Sequence, residues 1–190
     1  MKLLLREDVN KDRNFVIKEL RKGKIFVYPT DTIYGLGCNA LIPKNVEKIR
    51  KIKNRYGKPF SVIVPDIHWV EKNCLLNENS RKWLKILPGP YTFILKLKNG
   101  KAIAEEINLG LDSIGIRIPD HWISEIVKEA GVPFVTTSVN LSGSNFMKEV
   151  KEINPKITMG VDYIIDEGRI DGKPSSIINL TGEREKIVKR

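Results

Sequence analysis

The chain has 190 residues, 41% hydrophobic and 29% charged, which is typical of one soluble globular domain, and its strand-length apolar runs predict no signal peptide, no membrane span and a cytoplasmic location. The net charge of +10 favours polyanionic partners such as nucleotides or RNA, and the same Lys-rich composition is also typical of heat-adapted proteins. Two cysteines and two histidines without metal-ligand spacing argue against a structural metal site, and we expect Cys38 and Cys74 to be reduced, partly buried thiols.

Apolar spacing, helix caps and turn residues predict helices that alternate with strands, followed by crowded strands at the end. Asn10 can cap the first helix, Pro43 can begin the second, and Asp120 can cap a later one. In chain order, the predicted elements are a helix at 10–22, a strand at 25–28, a helix from 43 that ends by 57, a strand at 60–64, a helical stretch at 79–84, strands at 91–97 and 113–118, a helix at 120–130, a strand at 134–138, a weak helix near 148, and strands at 163–166, 176–180 and 186–189. This order favours one α/β or α+β domain, spanning 1–190, around a twisted mixed sheet.

The segment VYPTDTIYGLGCNA, residues 27–40, carries three hydroxyls at alternate positions. Thr30, Thr32 and Tyr34 share one face if the backbone is extended, because side chains two apart on a strand point the same way. A face of three hydroxyls is a poor core and a suitable wall for a polar ligand. We therefore expect these residues to line a binding site.

Two glycine-rich motifs look like nucleotide-binding loops and are rejected. GLGCNA, at 35–40, has the form of a dinucleotide fingerprint, and GRIDGK, at 168–173, imitates a phosphate-binding loop. Both loops require a helix directly after the glycines, and Pro43 and Pro174 stand where those helices should run. We expect neither segment to bind phosphate in that way.

Three basic residues stand where they can face a cavity. In SIGIRIPDH, three isoleucines alternate with Ser113, Gly115 and Arg117, so the arginine lies either beside open space or on the surface. In IKNRYGKPFSV, Lys53 and Arg55 are two residues apart, and a continuing helix would separate them. The glycine and proline that follow predict that the helix unwinds here, which lets both cations reach one cavity.

Hydroxyl and amide side chains recur in two further segments. In FVTTSVNLSG, Thr136, Ser138 and Asn140 share a face while the chain is extended. In DGKPSSIINL, Ser175 and Ser176 lead into an apolar strand. We expect these polar residues to join the same site, where loops leave the ends of the strands.

The chain resembles the YrdC-type threonylcarbamoyl-AMP synthases in six segments, which occur in this order: PTDTIYGLG, the Lys-x-Arg of KNRYGKPFSV, LPGPYTFIL, IGIRIPDH, TTSVNLSG and GKPSSIINL. The resemblance spans nearly the whole chain and implies an open, twisted α/β sheet flanked by helices, with a large basic cavity. It implies a nucleotidyltransferase that converts ATP, L-threonine and bicarbonate into threonylcarbamoyl-AMP and pyrophosphate, with Mg²⁺ brought by ATP. A downstream threonylcarbamoyl-transferase complex would then modify a tRNA adenosine beside the anticodon.

The resemblance also implies roles for single residues. The expected threonine-binding residues are Thr30, Thr32, Tyr34, Arg117, Thr136 and Ser175. The expected ATP-binding residues are Lys53, Arg55, Ser138, Asn140 and, at the terminus, Arg190 or its neighbour Lys189. Lys53 and Arg55 would be the catalytic pair that neutralises the triphosphate. The chain departs from the pattern at Ile63, where some members have a histidine, and we expect no second domain like that of longer relatives.

Two other functions stay open at this point. A module that binds double-stranded RNA or tRNA without catalysis would explain the basic charge, but it would not explain an amino-acid-sized wall of hydroxyls. A YrdC-like domain also takes part in carbamoyl transfer during hydrogenase maturation. There it belongs to a larger protein with zinc-finger cysteine pairs, which these 190 residues do not contain.

Overall fold

The computed structural model describes residues 1–98 and 100–188. Its strands are β1 (Lys2–Leu5), β2 (Phe26–Tyr28), β3 (Gly35–Gly37), β4 (Ser61–Ile63), β5 (Cys74–Leu75), β6 (Tyr91–Leu97), β7 (Ser113–Arg117), β8 (Phe134–Ser138), β9 (Tyr163–Asp166), β10 (Ser176–Asn179) and β11 (Lys186–Val188). Its helices are α1 (Arg6–Lys11), α2 (Arg13–Arg21), α3 (Pro43–Lys53), α4 (Ile67–Asn73), α5 (Glu78–Leu84), α6 (Glu105–Asn108), α7 (Ile123–Ala130) and α8 (Pro155–Thr158). Within these ranges, no helix has both the length and the apolar character needed to cross a membrane.

The strands of the described residues form one mixed sheet in the order β1-β9-β2-β3-β8-β4-β7-β6-β10-β11, and β5 pairs with β6. Pairing is parallel between β1 and β9, β9 and β2, β4 and β7, and β6 and β10. It is antiparallel between β2 and β3, β3 and β8, β8 and β4, and β7 and β6. The predicted α/β class with an open mixed sheet flanked by helices is therefore confirmed.

One face of the central strands is apolar throughout. Val135, Val62, Ile116 and Phe93 lie side by side across β8, β4, β7 and β6, and all four are fully buried. Helices α3, α6 and α8 contribute apolar side chains to the same cluster, among them Ile49 of α3. Each fully buried aliphatic or aromatic side chain contributes about 1.5–3 kcal/mol of transfer free energy, so this face anchors the sheet.

The opposite face of the same strands is divided into two regions. Phe134 and Ile63, which lie side by side on β8 and β4, pack in a second cluster with apolar residues of α2 and α7. One row further along, Thr136, Ser61 and Gly115 lie side by side on β8, β4 and β7. The helices of the second cluster do not cover these small residues, which form the floor of a cavity.

Two predicted helix starts are wrong. The helix predicted at 10–22 is two helices, because Asp12 leaves the helical conformation (φ −134°) and its carboxylate caps α2 by accepting from the Phe15 N–H at 3.0 Å. Asn10 is therefore not the cap. Asp120 does not cap α7, which begins at Ile123; its own backbone N–H donates to the Asp31 carboxylate instead.

Several short elements were not predicted. They are strands β1, β3 and β5 and helices α4, α6 and α8, which have two to seven residues each. The weak helix expected near 148 is a single 3-10 turn at Val150–Glu152. Strand β10 ends at Asn179, one residue earlier than predicted, and β11 is described as far as Val188.

The structure also shows the conformation of the two glycine-rich motifs and the burial of the two cysteines. Gly35–Gly37 is a strand, and the segment from 168 to 175 runs without a helix into β10, so no helix directly follows the glycines of either motif. Cys38 and Cys74 are free thiols and are fully buried rather than partly buried. Burial raises the pKa of the Cys74 thiol to about 11.

Candidate active site

A cavity of about 750 Å³ opens on the uncovered face of the sheet. Its walls come from β4, β6, β7, β8 and β10 and from the segments that precede β3, β4 and β10. Of the residues predicted for the site, those that line the cavity are Thr30, Tyr34, Arg55, Arg117, Thr136, Ser138 and Ser175. The charged side chains among its described lining residues are Arg55, Lys58 and Arg117, all of them basic.

The floor of the cavity depends on a glycine. A Cβ atom at Gly115 would lie 2.6 Å from the Ser61 hydroxyl oxygen and 3.3 Å from a methyl carbon of Thr92. Any side chain on Gly115 would therefore fill the space between β4 and β6. The predicted alternation on β7 is confirmed: Ile114 and Ile116 are buried in the core, and Gly115 and Arg117 face the cavity.

The three hydroxyls of 30–34 do not lie along an extended strand as predicted. Residues 31–33 form a bend between β2 and β3, because the Thr30 hydroxyl accepts from the backbone N–H groups of Thr32 and Ile33, each at 3.2 Å. The hydroxyl oxygens of Thr30 and Thr32 lie 3.0 Å apart. The bend thus brings two of the hydroxyls together, with Thr30 at the cavity wall and Thr32 behind it.

Arg117 is 6% exposed and lies at the end of β7, where its guanidinium faces the bend. Its Nη2 donates to the Asp31 carboxylate at 2.8 Å and to the Thr32 hydroxyl at 3.1 Å. Its Nε is buried and has no hydrogen-bond partner among the described residues. Burial lowers the pKa of Arg117 and the Asp31 carboxylate opposes that shift, so the group stays cationic and keeps an unused donor.

Tyr34 ties the bend to the segment between β9 and β10. Its hydroxyl donates to the Gly168 carbonyl at 2.7 Å and accepts from the Glu167 N–H at 3.1 Å. Burial raises the pKa of Tyr34 to about 12, which keeps the hydroxyl protonated as a donor. Gly172 makes a second contact there, because a Cβ on it would lie 1.8 Å from the Thr32 carbonyl oxygen.

That segment brings Ser175 to the opposite wall of the cavity. The Ser175 hydroxyl oxygen lies 2.7 Å from the hydroxyl oxygen of Thr92 on β6, and both side chains are buried. Residue 92 was not predicted as part of the site. This threonine lies in a largely apolar strand. Its place in the cavity lining follows from the pairing of β6 with β10, which the sequence does not reveal.

Lys53 and Asn140 lie behind the cavity wall, where both contact Ser138. Helix α3 ends at Lys53 because Asn54 adopts the left-handed conformation (φ 51°), as expected from unwinding at this point. The Lys53 ammonium, 1% exposed, donates to the carbonyl oxygens of Ser138 and Asn140 and, at 3.1 Å, to the Asn140 side-chain oxygen. Burial, and then the nearby charge of Arg55, lowers the pKa of Lys53 to about 7, whereas these three acceptors favour its protonated form.

Lys53 and Arg55 do not line the cavity together as predicted. Arg55 is half-buried at the cavity rim, where its Nη2 donates to the Pro59 carbonyl at 2.9 Å and its Nε has no partner among the described residues. Lys53 lies behind Ser138, which does line the cavity, and Ser138 in turn donates to the Asn140 side-chain oxygen at 2.6 Å. Arg190 and Lys189 lie outside the described residues.

A buried arginine that was not predicted holds the loop that carries Arg55. Arg50 is 5% exposed, and its guanidinium donates to four backbone carbonyls. The acceptors are Arg55 and Lys58 at 2.9 Å, Glu106 at 2.8 Å and Ile107 at 3.1 Å. In the sequence Arg50 looks like one more cation of a basic helix, and only the packing of α3 on α6 shows its role.

Ile63, the position at which the resemblance leads one to look for a histidine, is fully buried in the second apolar cluster. It lies beside Arg117 in the sheet but packs under the helices. No imidazole is therefore available to the cavity from this position of β4.

The comparisons with known proteins agree with this architecture. The profile of the Sua5/YciO/YrdC family, described as "Telomere recombination", matches residues 18–190. A putative threonylcarbamoyl-AMP synthase of Methanocaldococcus jannaschii is 42% identical to this chain over 186 residues, which cover 96% of this chain and 86% of that protein.

Two crystal structures are similar over almost the whole chain. P. abyssi Sua5 complexed with L-threonine has a TM-score of 0.86 at 25% identity, and the match covers 98% of this chain and 56% of that one. E. coli YciO has a TM-score of 0.85 at 29% identity, and the match covers 99% of this chain and 94% of that one. This chain thus spans about half the length of the Sua5 chain and nearly all of YciO. Together with the family profile, these matches show that the chain belongs to the Sua5/YciO/YrdC family.

Proposed function

We propose that the protein is a threonylcarbamoyl-AMP synthase, a nucleotidyltransferase that makes threonylcarbamoyl-AMP and pyrophosphate from L-threonine, bicarbonate and ATP. The observation that carries the proposal is a cavity lined by hydroxyls and by basic residues, the buried Arg117 among them. Relatives that bear the synthase name and the threonine complex of Sua5 support the choice of substrates. ATP brings Mg²⁺ with it, as part of that substrate.

Threonine is assigned to the Arg117 end of the cavity. A guanidinium suits a carboxylate because its planar donors match two oxygens, and a buried charged hydrogen bond is stronger than an exposed one. Thr30, Thr136 and Ser175 line the cavity with hydroxyls that can donate to or accept from the remaining polar atoms of the amino acid.

The triphosphate is assigned to the Arg55 end. Arg55 and Lys58 are the cations at that rim, and Ser138 adds a hydroxyl. Lys53 acts through the backbone of residues 138–140, which it holds from behind. This arrangement supplies positive charge where pyrophosphate leaves, and these charges are in position before the substrates bind.

The reaction needs positioning more than a protein nucleophile. The threonine amine condenses with bicarbonate to give a carbamate and water, and a carbamate oxygen then attacks the α-phosphorus of ATP as the bond to pyrophosphate breaks. All three substrates carry negative charge, so bringing them together is the main barrier that the cations lower. The product would pass to a separate transferase complex that modifies tRNA.

We expect that ATP consumption requires threonine and bicarbonate together and yields threonylcarbamoyl-AMP and pyrophosphate rather than ADP. The reason is that the carbamate, formed from both, is the nucleophile. Mass spectrometry of reactions that each omit one substrate tests this. Steady release of ADP and phosphate without threonine would contradict the proposal, and use of carbamoyl phosphate in place of threonine and bicarbonate would favour the carbamoyl-transfer function.

We expect Arg117→Ala to weaken threonine binding by about tenfold to a hundredfold, because a hydrogen bond to a charged group contributes about 1.5–3 kcal/mol. ATP binding should change much less, since Arg55 and Lys58 lie at the other end of the cavity. Calorimetric titrations of each substrate measure both effects. Unchanged threonine affinity would remove Arg117 from the binding site.

A further inference from the structure

Asp31 carries a buried carboxylate that the substrate assignments above leave without a role. Its side chain is 9% exposed and lies in the bend between Thr30 and Thr32, directly behind the cavity wall. One carboxylate oxygen accepts from Arg117 Nη2 at 2.8 Å. The other accepts from the Asp120 backbone N–H at 3.1 Å. Both oxygens are therefore committed within the protein, one to the side chain of Arg117 and one to the chain just beyond β7.

These bonds fix the orientation of the guanidinium. Nη2 is held by two acceptors of the bend, Asp31 and Thr32, whereas Nε is buried without a partner among the described residues. A guanidinium is planar, so anchoring one nitrogen determines where the other nitrogens point. The cavity lies beside Arg117, so a ligand carboxylate there meets a guanidinium whose orientation the bend has already set.

We propose that Asp31 is a positioning residue for threonine binding, which it supports by holding the Arg117 guanidinium in a fixed orientation beside the cavity. The proposal rests on the proposed function only in taking the amino-acid carboxylate as the ligand. Asp31 contacts Arg117 and the backbone of Asp120, and it is not among the residues that line the cavity. It acts on the substrate through Arg117.

The chemistry of the pair makes a sharp distinction possible. If Asp31 only reduced the positive potential of the cavity, removing its charge would strengthen the binding of an anionic carboxylate. If Asp31 positions Arg117, removing it weakens that binding. Asparagine has the same shape but one acceptor oxygen, so its amide would face either Arg117 or the Asp120 N–H donor to donor. Asp31→Asn thus loses one of the two anchors, and the two explanations predict opposite signs.

The experiment compares Asp31→Asn with a matched control, Asp162→Asn. Asp162 has the same two tasks elsewhere in the sheet: it pairs with Lys24 at 3.4 Å and accepts from the Ile25 N–H at 2.8 Å. We expect Asp31→Asn to raise both the Kd and the KM for threonine by about tenfold or more, with the KM for ATP changed less than about twofold. Asp162→Asn should leave both KM values unchanged, although it loses the same kinds of bond.

A second variant covers the case in which Asp31→Asn does not fold, which circular dichroism and ATP titration would reveal. Thr32→Val removes the other acceptor of Nη2, together with the contact to the Thr30 hydroxyl, and nearly keeps the side-chain volume. It should raise the KM for threonine by a smaller factor and leave ATP unaffected. Equal or tighter threonine binding by a folded Asp31→Asn, or by Thr32→Val if that is the only folded variant, overturns the inference. A wild-type protein that binds no threonine overturns the proposed function and the inference with it.

Discussion

Arg55→Ala should lower the rate of adenylation by about a hundredfold or more, whereas Lys51→Ala should leave it nearly unchanged. Arg55 lines the cavity with a half-buried guanidinium, and removing one preorganised donor from a developing anion typically has an effect of that size. Lys51 lies four residues earlier on the exposed face of α3, where substitutions seldom change stability by more than about 0.5 kcal/mol. Pyrophosphate release at saturating ATP measures both variants.

Lys53→Ala should also reduce adenylation strongly, through a different contact. Its ammonium holds the carbonyls of Ser138 and Asn140, so its loss should move the Ser138 hydroxyl at the cavity wall. Equal and modest losses in all three variants would mean that the cluster only attracts anions. Full turnover of Arg55→Ala and Lys53→Ala at saturating ATP would remove both residues from the active site.

Arg50→Ala should destabilise the protein by about 3 kcal/mol or more, because it removes four hydrogen bonds from a buried, charged guanidinium to backbone carbonyls. The loop that it holds carries Arg55 and Lys58, so adenylation should fall as well. Urea unfolding followed by circular dichroism gives the change in the free energy of unfolding.

Arg13→Ala is the control for that experiment. Arg13 pairs with Glu129 at 2.5 Å, and its side chain is 35% exposed, so its loss should change the free energy of unfolding by about 1 kcal/mol or less. If the two variants unfold at the same urea concentration, Arg50 does not hold the loop against α6.

The long elements of the fold were predictable because their periodicity records which face is buried. The isoleucines of 113–118 alternate with small and basic residues, and the structure places the two sets on opposite faces of β7. Strand β3 carries no such record, since three residues are too few to show alternation. Strand β3 is held by its pairing with β2, to which a bend connects it, and with β8, which is distant in sequence.

The site was predictable to the extent that its residues occur in recurrent local patterns. Arg117 and Ser138 were found in this way, and both line the cavity. Arg50 and Asp31 were not, because each owes its role to partners from other elements of the fold: the backbone of α6 and of the loop before β4 for Arg50, and the end of β7 for Asp31. A charged residue in a helix or a turn looks solvent-exposed until the packing around it is known.

The floor of the cavity is built from residues that alternate with the core. Ser61 and Thr136 are held in register by the same backbone hydrogen bonds that hold Val62 and Val135, and those valines are fully buried. The floor is therefore as rigid as the core. Binding of a ligand that fits it costs the protein little conformational entropy, because the floor is already ordered. Segments 54–60 and 167–175 lie outside any helix or strand and are held by side chains instead, the first by Arg50 and the second by Tyr34. We therefore expect the floor to select the shape of the ligand.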